Sequence, residues 1–273
     1  MVERDGASRA LRFAANIGFL YQELPFVERI AAAARDGFHA VECHWPFEFS
    51  RSQIASAIQE SGIPMIGMNT APGDLSRGYF GLSALPEMRS EARDAIEQAI
   101  SYCSALGACN LHVMAGNTDR NELAEQTFRD NLQFACDRAD AHRLTILIEP
   151  LNDFDHPDYH LVSTAHAAEI TSVINRPNLK IMFDVHHVRR AGGDVIASFD
   201  EIRDLIGHIQ ISGEQERGEP GRSEVGFLRH VYQTHGHHRP IWIGAEYMPK
   251  TEPVETVVGW LSNLKDTFKT EEI

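Results

Sequence analysis

Five short apolar runs carry a polar side chain at or near their ends, and this repetition constrains the fold more than any other feature. In chain order, the polar residues are Glu42, Glu149, Asp184, Gln210 and Glu246. A short apolar run bounded by turn residues is typical of a parallel strand buried on both faces. In an α/β barrel, catalytic side chains lie at the carboxyl ends of such strands. The pattern therefore predicts a barrel with an acidic site at its carboxyl end.

Strand and helix patterns alternate along the chain, as expected for a parallel sheet covered by helices. We predict eight strands, at 11–17, 38–43, 64–69, 109–114, 144–149, 179–184, 206–211 and 241–246. Amphipathic helices fit between them, among them 23–35, 50–61, 87–106 and 121–142. The length of 273 residues is close to the typical size of about 250 residues for a (β/α)8 barrel. We therefore expect one α/β domain, a (β/α)8 TIM barrel, over residues 1–273.

Composition and charge exclude several function classes. The formal net charge of -14 disfavours sequence-independent binding to nucleic acid, which depends on clustered Lys and Arg. No apolar stretch approaches the roughly 20 residues of a transmembrane helix, so we expect no membrane partner. The four cysteines form no Cys-x-x-Cys pair, and the first five residues lack the pattern of a signal peptide. We expect a cytoplasmic protein that acts on a small molecule. The sequence leaves self-association into a homo-oligomer open.

The last four of the five polar residues fall on four adjacent predicted strands, which can direct their side chains at one point. Several carboxylates at one point repel each other unless a cation or shared protons neutralise them. Three carboxylates and an amide oxygen form an oxygen-rich set that favours Mg²⁺ or Mn²⁺ over a tetrahedral zinc site. We predict a divalent metal bound by Glu149, Asp184, Gln210 and Glu246. For any one acidic residue alone, a helix cap or a salt bridge is the alternative interpretation.

Three further residues are candidates for substrate contact. His187, just beyond the sixth predicted strand, could hydrogen-bond a substrate oxygen, or it could be a loop histidine without a role. His112 on the fourth strand either points into the site or is a satisfied core histidine. Arg217, in the long connection after the seventh strand, could pair bidentately with a substrate carboxylate. The alternative for Arg217 is a surface salt bridge to Glu214 or Glu219.

Eight sequence motifs between residues 11 and 250 point to one protein family. They are FAAN (13–16), VE (41–42), NTAPGD (69–74), HVMAG (112–116), IEPLN (148–152), GHIQI (207–211), ERGEPG (216–221) and GAEY (244–247). Together they resemble the hydroxypyruvate isomerase family, which belongs to the xylose isomerase-like barrels. The stretch 69–116 is closer to the 2-oxo-tetronate isomerase branch, whereas 149–160 is closer to hydroxypyruvate isomerase proper. The resemblance therefore implies an isomerase that acts on one of these two small oxo acids.

The resemblance also implies roles for individual residues. Glu149 and Glu246 match the two family glutamates that form the acid/base pair and face the metal. The predicted substrate-binding residues are Asn69, His112, His187 and Arg217. One departure from the family is visible: His186 stands where a tyrosine is common. We expect this change to alter local packing or a substrate contact.

The expected reaction moves a proton between two adjacent carbons of the substrate through an enediolate. One glutamate removes the proton and a group on the opposite side returns it to the neighbouring carbon, while a divalent cation stabilises the developing negative charge. Three alternatives stay open: a ketose 3-epimerase on the same site, an AP endonuclease-like protein, and a non-enzymatic sugar-acid binding protein. Gln210 favours the isomerase, since many epimerases of this barrel class carry His there. Residues 212–224 contain no histidine, which disfavours the His-rich trinuclear site of an AP endonuclease.

Overall fold

The structure, a computed structural model, describes residues 11–214, 216–234, 241–250, 259–262 and 264. Its strands are β1 (Leu11–Asn16), β2 (Ala40–Glu42), β3 (Met65–Asn69), β4 (Asn110–His112), β5 (Thr145–Ile148), β6 (Leu179–Asp184), β7 (Ile206–Ile211) and β8 (Ile241–Ala245). All pairings between them are parallel and follow chain order, and β8 pairs with β1 to close the barrel. The predicted (β/α)8 TIM barrel is confirmed, and each strand lies within two residues of its predicted bounds.

Helices connect the successive strands. They are α1 (Phe26–Arg35), α2 (Arg51–Ser61), α3 (Arg89–Leu106), α4 (Glu122–Asp140), α5 (Thr164–Ile174), α6 (Val185–Arg190), α7 (Val195–Ile202) and α8 (Arg222–Thr234). Between β6 and β7 the chain forms two helices, α6 and α7, where simple alternation predicts one. Among the residues described, no helix is both long enough and apolar enough to cross a membrane.

The two ends of α2 show why the bounds of this helix could be predicted from local sequence. Ser50 accepts a hydrogen bond from the Gln53 backbone N–H, and the Gln53 side chain accepts one from the Ser50 N–H. This capping box satisfies two N–H groups that a helix start otherwise leaves without a partner. The helix stops at Gly62, whose φ of 74° lies in the left-handed region that favours glycine. The prediction 50–61 therefore differs from α2 only by the cap residue.

The interior of the barrel changes from apolar to polar along its axis. An apolar interior cluster consists of Ala14, Ala40 and Ile66, with Trp242 packed against it. Side chains on a strand alternate between two faces, so residues two positions apart point the same way. Asn16 follows Ala14 by two residues on β1, and Glu42 follows Ala40 by two residues on β2. Ala14 is in register with Ala40, and Asn16 is in register with Glu42. The next layer towards the carboxyl end of the barrel is therefore polar, which is where the predicted site residues lie.

Candidate active site

The predicted site residues come together at the carboxyl end of the barrel. One cavity of about 250 Å³ is lined by seven of the eight: Asn69, His112, Glu149, His187, Gln210, Arg217 and Glu246. The eighth, Asp184, is only 2% exposed and contacts the cavity through its neighbours. Its Oδ2 lies 3.6 Å from His187 Nε2 and accepts a hydrogen bond from Arg217 Nη2 at 2.7 Å. One small space thus brings together residues from six strand ends, from helix α6 and from the connection after β7.

Arg217 lies between two of the predicted metal ligands. Its Nη2 donates to Asp184 Oδ2 and to Glu246 Oε1, and its Nε donates to the Glu246 backbone oxygen at 3.3 Å. The side chain is buried with 8% exposure, and the guanidinium carbon lies 4.9 Å from the centre of the Phe19 ring. The alternative interpretation, a surface salt bridge to Glu214 or Glu219, is wrong, because the guanidinium points into the barrel towards Asp184 and Glu246.

The loop that carries Arg217 holds an uncommon backbone conformation. Glu216 and Arg217 have φ of 50° and 54°, in the left-handed region that non-glycine residues seldom adopt. Two backbone hydrogen bonds fix this turn, from Gly213 N to Gly218 O at 2.7 Å and from Met248 N to Arg217 O at 2.8 Å. The conformation directs the arginine into the barrel, and nothing in the residue types at 216 and 217 signals it.

The charges in the cavity do not balance. Burial, and then the neighbouring carboxylates of Glu246 and Asp184, raise the pKa of Glu149 well above its ordinary value. Burial also raises the pKa of Glu246, although Arg217 opposes the shift. Burial lowers the pKa of His112 to about 3, so this histidine is neutral at pH 7. One guanidinium therefore faces three buried carboxyl groups, and further positive charge would stabilise their ionised forms.

The donor set fits a divalent cation. Among the described residues, no hydrogen-bond donor reaches Glu149 Oε1 or Gln210 Oε1, and both atoms are buried. Buried oxygens without a partner are uncommon and call for an explanation. Carboxylate and amide oxygens are the ligands that Mg²⁺ and Mn²⁺ prefer. Carboxylate oxygens of two of the predicted ligands, Glu149 and Asp184, lie within 4.8 Å of each other, close enough to share one ion.

His187 is a hydrogen-bond donor in this arrangement rather than a metal ligand. Its Nδ1 lies 3.1 Å from the Asn152 backbone N–H and 2.8 Å from Asn152 Nδ2. A backbone N–H only donates, so Nδ1 must be the unprotonated nitrogen of the ring. Burial, and then Arg217, hold the pKa of His187 well below its ordinary value, so the neutral ring carries its proton on Nε2. That N–H points towards Glu149 Oε1, at 3.7 Å, and Asp184 Oδ2.

His186, at the position where the family commonly has tyrosine, organises a loop. Its Nε2 lies 3.1 Å from Asp155 Oδ2, which also accepts a hydrogen bond from Asn152 Nδ2 at 2.9 Å. Asn152 in turn fixes His187. His186 lines the outer cavity above the site and not the 250 Å³ cavity. His186 therefore contributes to the packing of the connection after β5, and the effect of histidine in place of tyrosine stays a prediction.

Several residues of the cavity wall were not predicted from the sequence. They are Phe19, His44, Trp45, Phe80, Met114, Leu151, His156 and Met182. His44 follows β2 by two residues, so the strand-end argument could have identified it. Phe19, Phe80 and His156 come from connections, where sequence alone does not give the direction of a side chain. These residues give the cavity a largely apolar and aromatic wall around a polar floor.

Comparisons with known proteins agree with this geometry. A sequence model for the family described as xylose isomerase-like TIM barrel matches residues 30–263. The 2-oxo-tetronate isomerase of Cupriavidus necator is 38% identical over 256 residues, which are 92% of this chain and 97% of that protein. The hydroxypyruvate isomerase of Escherichia coli is 32% identical over 256 residues, covering 92% and 98%. A solved structure, an AP endonuclease, family 2, from Brucella melitensis, has 30% identity and a TM-score of 0.87, covering 93% of this chain and 98% of that one.

Proposed function

The chain belongs to the hydroxypyruvate isomerase family of xylose isomerase-like TIM barrels, and we propose that it isomerises hydroxypyruvate or 2-oxo-tetronate. One observation carries the proposal: Glu149 and Glu246 line the same small cavity, with Arg217 bonded to one of them. Two carboxyl groups in one cavity suit a reaction that removes a proton at one carbon and returns it at the next. The buried guanidinium suits a substrate that carries a carboxylate.

We propose that Glu149, Asp184, Gln210 and Glu246 hold Mg²⁺ or Mn²⁺. The oxygen-rich set and the two buried oxygens without a donor support this assignment. A cation bound there would supply Lewis-acid stabilisation of negative charge on the substrate oxygens. His187 would remain outside the ligand set, because its cavity-facing nitrogen carries a proton.

The two glutamates divide the proton transfer between them. In hydroxypyruvate a proton leaves C3 and one arrives at C2, while the hydroxyl proton moves from O3 to O2. Glu149 has two carboxylate oxygens, so one can face the cation while the other takes the proton from C3. Glu246 Oε2 is held by Asn16 Nδ2 and Gln210 Nε2, each at 2.6 Å, so this carboxyl group has a fixed orientation. We assign Glu246 the proton transfer at C2.

The remaining predicted residues would bind and orient the substrate. Arg217 uses Nε and Nη2 in its hydrogen bonds to the described residues, which leaves Nη1 for a substrate carboxylate. The Nε2–H of His187 can donate to a substrate oxygen. Asn69 and His112 line the same cavity and are proposed as further contacts. The aromatic wall limits access of water to the reacting carbons.

Two alternative activities have less support. A ketose 3-epimerase would return the proton to the carbon that lost it, but Gln210 favours the isomerase and the buried Arg217 favours an acidic substrate. An AP endonuclease would bind DNA, and the similar Brucella protein is described as one. However, the connection after β7 has no histidine between residues 212 and 224, and the net charge is -14. The isomerase accounts for the residues of the site without an added assumption.

A substrate panel tests the proposal. The purified protein, loaded with Mg²⁺ or Mn²⁺, is incubated separately with hydroxypyruvate, 2-oxo-tetronate, a neutral ketohexose and DNA that contains an abasic site. We expect one of the two oxo acids to be isomerised and the other substrates to be left unchanged. Epimerised ketohexose or cleaved DNA, with neither acid converted, would contradict the proposal and identify the corresponding alternative. Binding of an acid without turnover would indicate a binding protein.

A further inference from the structure

We propose that Glu42 is a positioning residue that fixes which end of the Gln210 amide faces the cation site. Glu42 is the last residue of β2, is 4% exposed and does not line the 250 Å³ cavity. The inference rests on the proposed function, because it treats Gln210 Oε1 as a metal ligand. Glu42 would thus have a role in metal binding, although its buried carboxylate takes no part in the proposed proton transfer.

The hydrogen bonds of Gln210 determine its orientation. Its Nε2 donates to Glu42 Oε1 at 2.8 Å and to Glu246 Oε2 at 2.6 Å. An ionised carboxylate only accepts hydrogen bonds, whereas an amide has one donor end and one acceptor end. If the amide were inverted, its oxygen would face the two carboxyl groups, and both hydrogen bonds from Nε2 would be lost. In the structure the nitrogen faces Glu42 and Glu246, and Oε1 faces away from them, where it is buried without a donor among the described residues.

Glu42 is positioned to hold the amide throughout the reaction. Asn16 Nδ2 donates to its Oε1 at 3.4 Å. Its Oε2 lies 2.6 Å from His208 Nε2, although the angle of that contact falls outside hydrogen-bond geometry. Because Glu42 does not line the cavity and takes no part in the proposed proton transfer, its hydrogen bond with the Gln210 amide can persist from substrate to product.

The packing of β8 makes room for this contact. In the barrel, Gln210 on β7 is in register with Gly244 on β8. A Cβ on Gly244 would collide with Glu42 Oε1 and would lie 2.9 Å from Gln210 Cγ. The missing side chain allows the Glu42 carboxylate to reach across the barrel from β2 to β7. The close approach explains why glycine occupies this strand position.

The contact also accounts for glutamine at position 210. An amide offers two N–H donors and one acceptor oxygen. It can therefore serve Glu42, Glu246 and a cation together. A neutral histidine offers one N–H and one lone pair, so in the same place it could donate to only one of the two carboxylates while its lone pair faced a cation.

Mn²⁺ affinity of the intact protein, measured by titration with detection of free Mn²⁺ by EPR, tests the inference without reference to activity. We expect Glu42→Gln to weaken Mn²⁺ binding by about 10- to 100-fold, the usual effect of losing a residue that orients a metal ligand. The exposed Glu48→Gln, on the connection after β2, is the matched control and should bind Mn²⁺ like the wild type. Thermal unfolding of each variant reports whether it is folded.

A double-mutant cycle shows whether Glu42 affects Mn²⁺ binding through Gln210. If Glu42 acts through Gln210, Glu42→Gln should weaken binding in the wild type but not in a Gln210→Ala background. Gly244→Ala, which displaces the Glu42 carboxylate without removing it, should weaken Mn²⁺ binding as Glu42→Gln does, and it replaces that variant if the latter does not fold. Unchanged affinity in a folded Glu42→Gln, or an equal loss with and without Gln210, overturns the inference. Failure of the wild type to bind Mn²⁺ instead overturns the metal site of the proposed function.

Discussion

Replacing Arg217 by methionine should separate the recognition of a substrate carboxylate from the assembly of the site. Methionine keeps much of the aliphatic volume over Phe19 but has no N–H group. The substitution removes the hydrogen bonds to Asp184 and Glu246, which affects every substrate alike. It also removes the donor left for a substrate carboxylate, which affects only an acidic substrate. The change in selectivity between a charged and an uncharged substrate is therefore the informative quantity.

The size of that change follows from the chemistry of the pair. A hydrogen bond to a charged group contributes about 1.5 to 3 kcal/mol, which corresponds to roughly 10- to 150-fold in binding. The guanidinium is buried, so solvent does not screen the interaction to the low value of a surface pair. We therefore expect Arg217→Met to raise KM for hydroxypyruvate or 2-oxo-tetronate by about tenfold or more. An uncharged substrate should be affected much less.

The assay compares kcat/KM for hydroxypyruvate with kcat/KM for its methyl ester, in which the carboxylate is uncharged. The ratio of the two values should fall at least about tenfold in Arg217→Met. Arg138→Met, which removes an exposed arginine that pairs with Glu97, is the control and should leave the ratio unchanged. Equal losses on acid and ester, or no loss on either, would exclude Arg217 from the carboxylate site and favour a neutral-sugar epimerase.

Three further predictions concern the glutamates, the metal and acid stability. Glu149→Gln and Glu246→Gln should fold normally and lose at least roughly 100-fold in kcat, since each loses a proton carrier. Glu60→Gln, at an exposed position, is the control and should keep the wild-type kcat. If either variant keeps a tenth of the wild-type kcat, the glutamate it replaces is not a proton carrier. EDTA should lower both thermal stability and activity. Adding Mn²⁺ at 100 times its Kd should raise the free energy of unfolding again by about 2.7 kcal/mol. Undiminished activity in metal-free protein would refute the proposed metal site. Burial raises the pKa of Glu125, but two histidines and an arginine outweigh it and hold that pKa below its ordinary 4.5. The ionised Glu125 carboxylate therefore stabilises the folded protein above pH 4.5, and this stabilisation is lost as the pH falls. The difference in unfolding free energy between the wild type and Glu125→Gln should accordingly become smaller from pH 7 to pH 3. A difference that stays constant over this range would contradict the prediction.

The strands were predictable because apolar runs alternate with helix patterns along the chain, and five of these runs carry a polar residue at or near the end. The same regularity predicted that residues such as Asp184 and Gln210 would meet, since they are in register on β6 and β7. Local caps, such as the Ser50–Gln53 capping box of α2, mark helix starts for similar reasons. Strand periodicity and caps act over a few residues, which a single sequence displays directly.

Other parts of the site depend on contacts that a single sequence does not display. The inward direction of Arg217 depends on a left-handed turn at two non-glycine residues, and the surface salt bridge considered for it does not form. The proton position on His187 depends on Asn152, which is 35 residues away. The pairing of Glu42 with Gln210 spans 168 residues and requires Gly244 between them. Each of these features is set by tertiary packing rather than by local pattern.

The most direct test of the central claim is proton NMR of hydroxypyruvate in D₂O with the metal-loaded protein, compared with a protein-free sample. We expect loss of the C3 proton signal together with formation of tartronate semialdehyde, because Glu149 breaks the C3–H bond and a proton is returned at C2. Both changes should be absent in Glu149→Gln. The opposite result, an unchanged C3 proton signal and no product with protein shown to be folded and metal-bound, repeated with 2-oxo-tetronate, would contradict proton transfer between two glutamates as the function of this site.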